Sequence, residues 1–127
     1  MRKTITTLGL MLAAFAFTAT ASYAAGAPAT TGTTTAGKGW VDAKGMALYT
    51  FDKDTGVKSL CNGKCAVEWP PLAVAIGGVA SGDWTIITRD DGTMQWALKG
   101  KPLYTFLDDK KPGQATGDKK DGFDLAI

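Results

Sequence analysis

The chain has 127 residues and no histidine, with 14 Lys and Arg against 12 Asp and Glu and a formal charge of +2. That length allows one small domain, and the missing imidazole excludes Ser-His and Cys-His nucleophilic pairs, histidine metal sites and the usual proton shuttle near neutrality. Arg2 and Lys3 fall in a segment read below as an export signal, so the remainder balances at 12 against 12 and carries no electrostatic case for nucleic acid.

Residues 1–3 form a short basic start, residues 5–21 carry no charge, and Ser22 and Ala24 place small side chains where a signal peptidase reads them. Residues 1–24 are therefore expected to be a signal peptide cleaved after Ala24. The strongest apolar stretch, residues 8–17, is well short of the ~20 residues of a spanning helix. A periplasmic or secreted product without a transmembrane segment follows. Residues 25–39 are Ala, Gly, Thr and Pro with the single charge of Lys38, and are expected to be a flexible leader. Beyond Trp40, short aromatic and β-branched runs alternate with Gly, Asp and Lys, the pattern of strands joined by tight turns. The expectation is a single all-β domain over residues 40–127, a small antiparallel sandwich or barrel-like meander.

Residues 40–42 and 46–52 flank Ala43-Lys44-Gly45 as a first hairpin. Residues 83–89 and 93–98 flank Asp90-Asp91-Gly92 as a second, since Asp-Gly between alternating runs is a strong turn signal. Lys99-Gly100-Lys101 then turns into a further strand over residues 102–107. Residues 108–122 read as a charged surface loop before a last strand, residues 123–127. The one helical turn, residues 65–69, is stopped by Pro70 and Pro71.

Gly45 opens the string GMALYTFDKD and Gly100 opens GKPLYTFLDD, 55 residues later, with six of ten positions identical. Tyr49 pairs in role with Tyr104, Phe51 with Phe106 and Asp54 with Asp109. In a strand each Tyr and Phe share one face, and the Asp falls where the strand ends. Two related hairpin units packing with approximate twofold symmetry are expected, each burying aromatics that the other cannot bury alone.

The strings from Tyr49 to Asp54 and from Tyr104 to Asp109 resemble the Tyr-x-aromatic-x-x-Asp signature of a bacterial family of secreted repeats, the predicted lipoproteins with a conserved YxFxxD motif. The likeness extends to Cys61-Asn62-Gly63-Lys64-Cys65 with Trp69-Pro70-Pro71. It implies an envelope location and a doubled motif, and it brings no assigned activity. No lipid-accepting Cys stands at the end of the signal, and Phe123-Asp124 replaces the Trp-His pair of relatives.

Cys61 and Cys65 are the only cysteines, and in an oxidising compartment a local disulfide across the Asn62-Gly63 turn is the leading reading. The rival is thiol-disulfide or metal-linked redox chemistry through the same pair, with Met46 or Met94 as further soft ligands. The x3 spacing departs from thioredoxin-like motifs, and no His follows the second Cys to hold haem. Residues 52–63 fail as an EF-hand because the Gly comes early and Gly63 stands at the twelfth position. No pair among the eleven Asp is singled out for glycoside hydrolysis, residues 118–124 read as a solvated turn, and no cofactor or resident metal is implied. Trp40, Trp69, Trp84 and Trp96 are candidates for stacking on a sugar or aromatic ligand if their ring faces are open. The functional expectation is a non-catalytic envelope module, structural or binding an unidentified ligand or protein.

Overall fold

The computed structural model describes residues 27–127; the expected signal peptide lies outside these residues. Seven strands and one short helix follow in the order β1 Ala29–Thr34, β2 Gly37–Asp42, β3 Tyr49–Phe51, α1 Lys64–Glu68, β4 Trp84–Thr88, β5 Met94–Leu98, β6 Lys101–Pro102 and β7 Phe123–Leu125. They form three small antiparallel sheets, β1-β2, β3-β7 and β4-β5-β6, and no closed barrel.

Residues 25–39 need correction as a flexible leader. From Ala29 onward this segment is strand: β1 pairs with β2 along its whole length, from Ala29 opposite Asp42 to Thr34 opposite Gly37. Its small side chains bury little, so backbone pairing holds it, helped by Thr35 N donating to Gly113 O at 2.9 Å. The predicted first hairpin closes at Asp42, whose carboxylate accepts from Lys44 N and Met46 N, and Val41 bridges Ala47. The chain then departs, because β3 pairs with β7 instead. The second hairpin forms across the predicted Asp90-Asp91-Gly92 turn, with Trp84 opposite Leu98, Ile86 opposite Trp96 and Thr88 opposite Met94. Lys99 and Gly100, with φ of 51° and 82°, turn β5 into β6, which is only two residues long. Two left-handed residues in succession are the geometry that matches strand twist, and glycine adopts it without strain.

The two repeat units are interlocked. Tyr49 and Tyr104 exchange both backbone hydrogen bonds, N to O at 2.8 and 2.9 Å, at the centre of the molecule. On its other side each tyrosine strand pairs with the tail of the opposite unit: Ala126 N donates to Leu48 O at 2.8 Å, and Leu72 N to Leu103 O at 2.9 Å. The same exchange recurs outward, where Trp40 N donates to Ala126 O and Trp96 N to Leu72 O, both at 2.9 Å. Neither unit satisfies its own strand edges, so each is completed by the other.

Alternation along the tyrosine strands divides the interior in two. Tyr49, Tyr104 and Phe106 enter a cluster with Trp69, Phe123, Ala47, Cys61, Ala115 and Leu125. Their neighbours Leu48 and Leu103 point into a second cluster with Trp84, Trp96 and Leu98. Trp69 and Phe123 stack face to face at 3.8 Å between centroids, and Phe106 covers the other side of Trp69 at 4.2 Å. The expected surface loop over residues 108–122 contributes to this interior through Asp109, Ala115 and Gly117, which are buried. Gly117 is required there, because a Cβ would meet Trp69 at 2.6 Å and the Phe106 ring at 2.9 Å.

Candidate functional site

The side chains of the doubled motif meet across the units. Tyr49 Oη donates to Asp109 Oδ2 at 2.6 Å, and Tyr104 Oη donates to Asp54 Oδ2 at 2.5 Å. The aspartate of each copy thus closes the tyrosine of the other, which gives the motif its residue types: a buried phenol needs an acceptor, and the partner strand alone ends where one can stand. Both aspartates are fixed by the same turn, their N–H groups donating to Phe51 O and Phe106 O at 3.1 Å. Their second oxygens accept from the chain that follows, Leu60 N on Asp54 and Thr116 N with Thr116 Oγ1 on Asp109. Burial first, and then the bonded carboxylate, push both phenols well above the ordinary tyrosine range. Asp54 is held above its usual range by desolvation, against the opposing pull of Leu60 N–H, the Tyr104 hydroxyl and Arg89.

A polar group not singled out in the sequence lies beside Tyr104. Arg89 is 4% exposed. Its Nη1 donates to Ser59 Oγ and Gln95 Oε1, both at 2.9 Å, and its Nη2 to Cys61 O at 2.5 Å. Ser59 Oγ stands 2.6 Å from Tyr104 Oη, and because the phenol proton is directed to Asp54, the serine donates to the phenol. Gln95 turns its amide to Leu103 O at 2.7 Å. The signal for this cluster was faint: Arg89 sits one residue beyond β4, where a charge ordinarily faces solvent.

Cys61 and Cys65 form a disulfide with Cα atoms 5.2 Å apart. Cys61 is fully buried in the aromatic cluster and Cys65 is partly buried against it. The bridge fixes the turn that presents Cys61 O to Arg89, and its sulfurs are bonded to one another. Met94, read from the sequence as a core residue or soft ligand, is exposed. Among the described residues no three Cys, Asp or Glu side chains gather in the geometry of a metal site. Asp118 and Asp124, from the charged end of the chain, accept from Leu125 N and Lys119 Nζ.

Three of the four tryptophans need correction as stacking residues. Trp69 lies between two phenylalanine rings, while Trp84 meets Trp40 and Trp96 edge to face at 5.5 and 6.1 Å. Trp69, Trp84 and Trp96 are buried and present no open ring face; Trp40 is half-buried. Trp96 shows one edge to a recess of about 670 Å³ formed with Pro28, Ile76 and Val79.

The crossed Tyr–Asp pairs define a two-copy module, and a family model for a secreted repeat of unknown function, named for lipoproteins, matches the chain twice, at residues 30–73 and 85–124. The chain belongs to this secreted-repeat family. The first match begins within β1, so the family's unit includes the strand that the leader reading left out. No curated protein and no solved structure matches the chain. No helix among the described residues is long and apolar enough to cross a membrane.

Proposed function

We propose that this secreted-repeat protein is a non-catalytic module of the bacterial envelope, periplasmic or released, that acts through its surface as a structural or binding element. One observation carries the reading. All four polar side chains of the motif, Tyr49, Asp54, Tyr104 and Asp109, are consumed in holding the two units together, with their oxygens directed at one another and at backbone N–H groups. A reaction centre needs donors and acceptors left over for a substrate; here the motif spends them on architecture. The redox alternative through Cys61 and Cys65 is disfavoured on the Cys61 side, which is fully buried, since exchange proceeds by thiolate attack on an accessible sulfur.

Fractionation of cells producing the full chain tests the location. Processed protein in the periplasmic fraction or medium is expected, and unprocessed protein held in the cytoplasm would overturn it. A hydrolase and oxidoreductase substrate screen of the purified chain tests the absence of catalysis. Turnover that disappears in Tyr49→Phe while the fold persists would make the motif a reaction centre and end the proposal.

A further inference from the structure

The two tyrosine strands touch at Tyr49 and Tyr104 and then splay apart on both sides, which leaves two wedges related by the internal symmetry. One wedge is filled by the chain itself. There Pro112 packs on Gly45, where a Cβ would meet Pro112 Cβ at 3.0 Å, Gly113 N donates to Gly45 O at 2.9 Å, and Gly113 O accepts from Thr35 N. The plug is a self-closing turn, since Gln114 Oε1 accepts from Lys110 N and Lys111 N. Its symmetry mate is empty: at Gly100 nothing lies within 4 Å of a Cβ position, and a cleft of about 520 Å³ opens between Thr50 and Phe51 of β3 with Asp52 after it on one side and Lys99 of the turn with Lys101 and Pro102 of β6 on the other.

The segment that would fill this cleft by symmetry borders it at Asp54 and Gly56 and is then drawn away. Lys58, the counterpart of Gly113, bonds its own turn at Thr55 O and sends its ammonium to Asp90. The lining has also changed character. The positions equivalent to Asp52 and Lys101 are Leu107 and Met46, and by the register of Leu125 on Tyr49 and of Pro71 on Tyr104 the position equivalent to Asp124 is Pro70. An apolar wedge suited to the chain's own loop has become a mixed-charge cleft with two exposed carboxylates, Asp52 and Asp124, at its mouth.

We propose that the cleft at Gly100 is a docking site for a Pro-Gly turn of another protein, with basic residues on the turn's N-terminal side meeting Asp52 and Asp124. The filled wedge supplies the template for the turn, and the acidic replacements supply the preference for a basic flank. This rests on the reading that the protein works through its surface. The test uses purified chain and a peptide, so its failure leaves location and architecture standing.

The probe is the blocked peptide Lys-Lys-Pro-Gly-Gln-Ala, the chain's own plug, titrated into isotope-labelled full chain by NMR. Saturable shifts at Thr50, Phe51 and Gly100 are expected, with a dissociation constant of about 1 mM, as for a small contact. Asp52→Lys, an exposed position, should weaken binding about tenfold, and Thr50→Trp, which suits a strand and fills the cleft, should abolish it. Both variants must retain the wild-type thermal transition. Absence of shifts at 10 mM peptide (about ten times the expected constant) would overturn the proposal. So would equal binding by the Thr50→Trp variant, or shifts centred on Thr35 and Gly45, which would mean that the peptide displaces the internal plug.

Discussion

At Gly45 the wedge beside the tyrosine strands is shut by Pro112, and the loop after Asp109 is tied down by backbone bonds to Thr35 and Gly45. At Gly100 the wedge is open, and the loop after Asp54 is held by side chains instead: Ser59 on Arg89, Lys58 and Asn62 on Asp90, and the Cys61–Cys65 bridge. By the registers of the two hairpins, the position equivalent to Arg89 in the first unit is Thr34, and that equivalent to Gln95 is Gly39. Shared geometry thus lies in the paired hairpins and in what the units need from each other: the exchanged backbone bonds, the crossed Tyr–Asp pairs and the Trp69–Phe123 stack. Loops facing outward have diverged, and each unit has found its own way to anchor the segment after the motif.

The largest test of interdependence is to cut the chain. A break between Val79 and Ala80, in an exposed connection, separates the units. Each fragment alone should be unfolded, because its tyrosine strand loses pairing on both sides, whereas the mixture should recover the native spectrum. Circular dichroism and proton NMR of the separate and mixed fragments decide this; a folded isolated fragment would show that the units are independent domains.

Arg89→Met probes the side that relies on side chains. It removes the bonds donated to Ser59, Gln95 and Cys61 O, with a long one to Asn62, and leaves the first three short of a partner in a buried place, so a loss of about 3 kcal/mol is expected in chemical denaturation. Reduction of the disulfide should act on the same corner, and less strongly, since so short a loop restricts the unfolded chain little. Thr34→Val, at the equivalent position, should change stability by well under half as much, about 1 kcal/mol.

Much of this plan was legible from the residues. The second hairpin, the helical turn and the role equivalence of Tyr49 with Tyr104 follow from turn chemistry and the 55-residue offset. β1 was missed because periodicity registers side chains, and Thr-Gly-Thr shows none to bury; carrying the 55-residue offset upstream from Trp84–Thr88 would have set β4 against residues 29–33 of β1. The crossing of the pairs was not legible, since equivalence between copies does not say whether Asp54 serves its own tyrosine or the other. Arg89 was missed for a related reason: its partners come from three separate segments, and nothing local marks a buried guanidinium.

A double-mutant cycle sharpens the crossing. Tyr104→Phe with Asp54→Asn should couple by about 1 kcal/mol, and so should Tyr49→Phe with Asp109→Asn. Within one copy, Tyr49→Phe with Asp54→Asn should add, since these side chains share no bond. The reverse pattern, coupling inside each copy and additivity between copies, would show that the motif acts as two self-contained units.

The smallest effect concerns protons and separates Asp54 from carboxylates in general. Burial raises Asp54 above its ordinary value of 3.8, so the folded state binds this proton more tightly than the unfolded chain. Stability from this group therefore grows as pH falls through the raised value, is complete below 3.8, and is lost again as pH rises through the raised value. Exposed Asp90 and Asp91 act in the opposite sense: bonds from Lys58 to Asp90 and from Thr93 to Asp91 hold them below the usual range. Asp54→Asn retains those two groups, so the difference in unfolding free energy between wild type and variant isolates the Asp54 contribution. That difference should move in favour of the wild type on acidification through the raised value and become flat at neutral pH. A difference that instead favours the variant on acidification would mean that Arg89 and the Tyr104 phenol outweigh desolvation, making this corner an ion pair in substance.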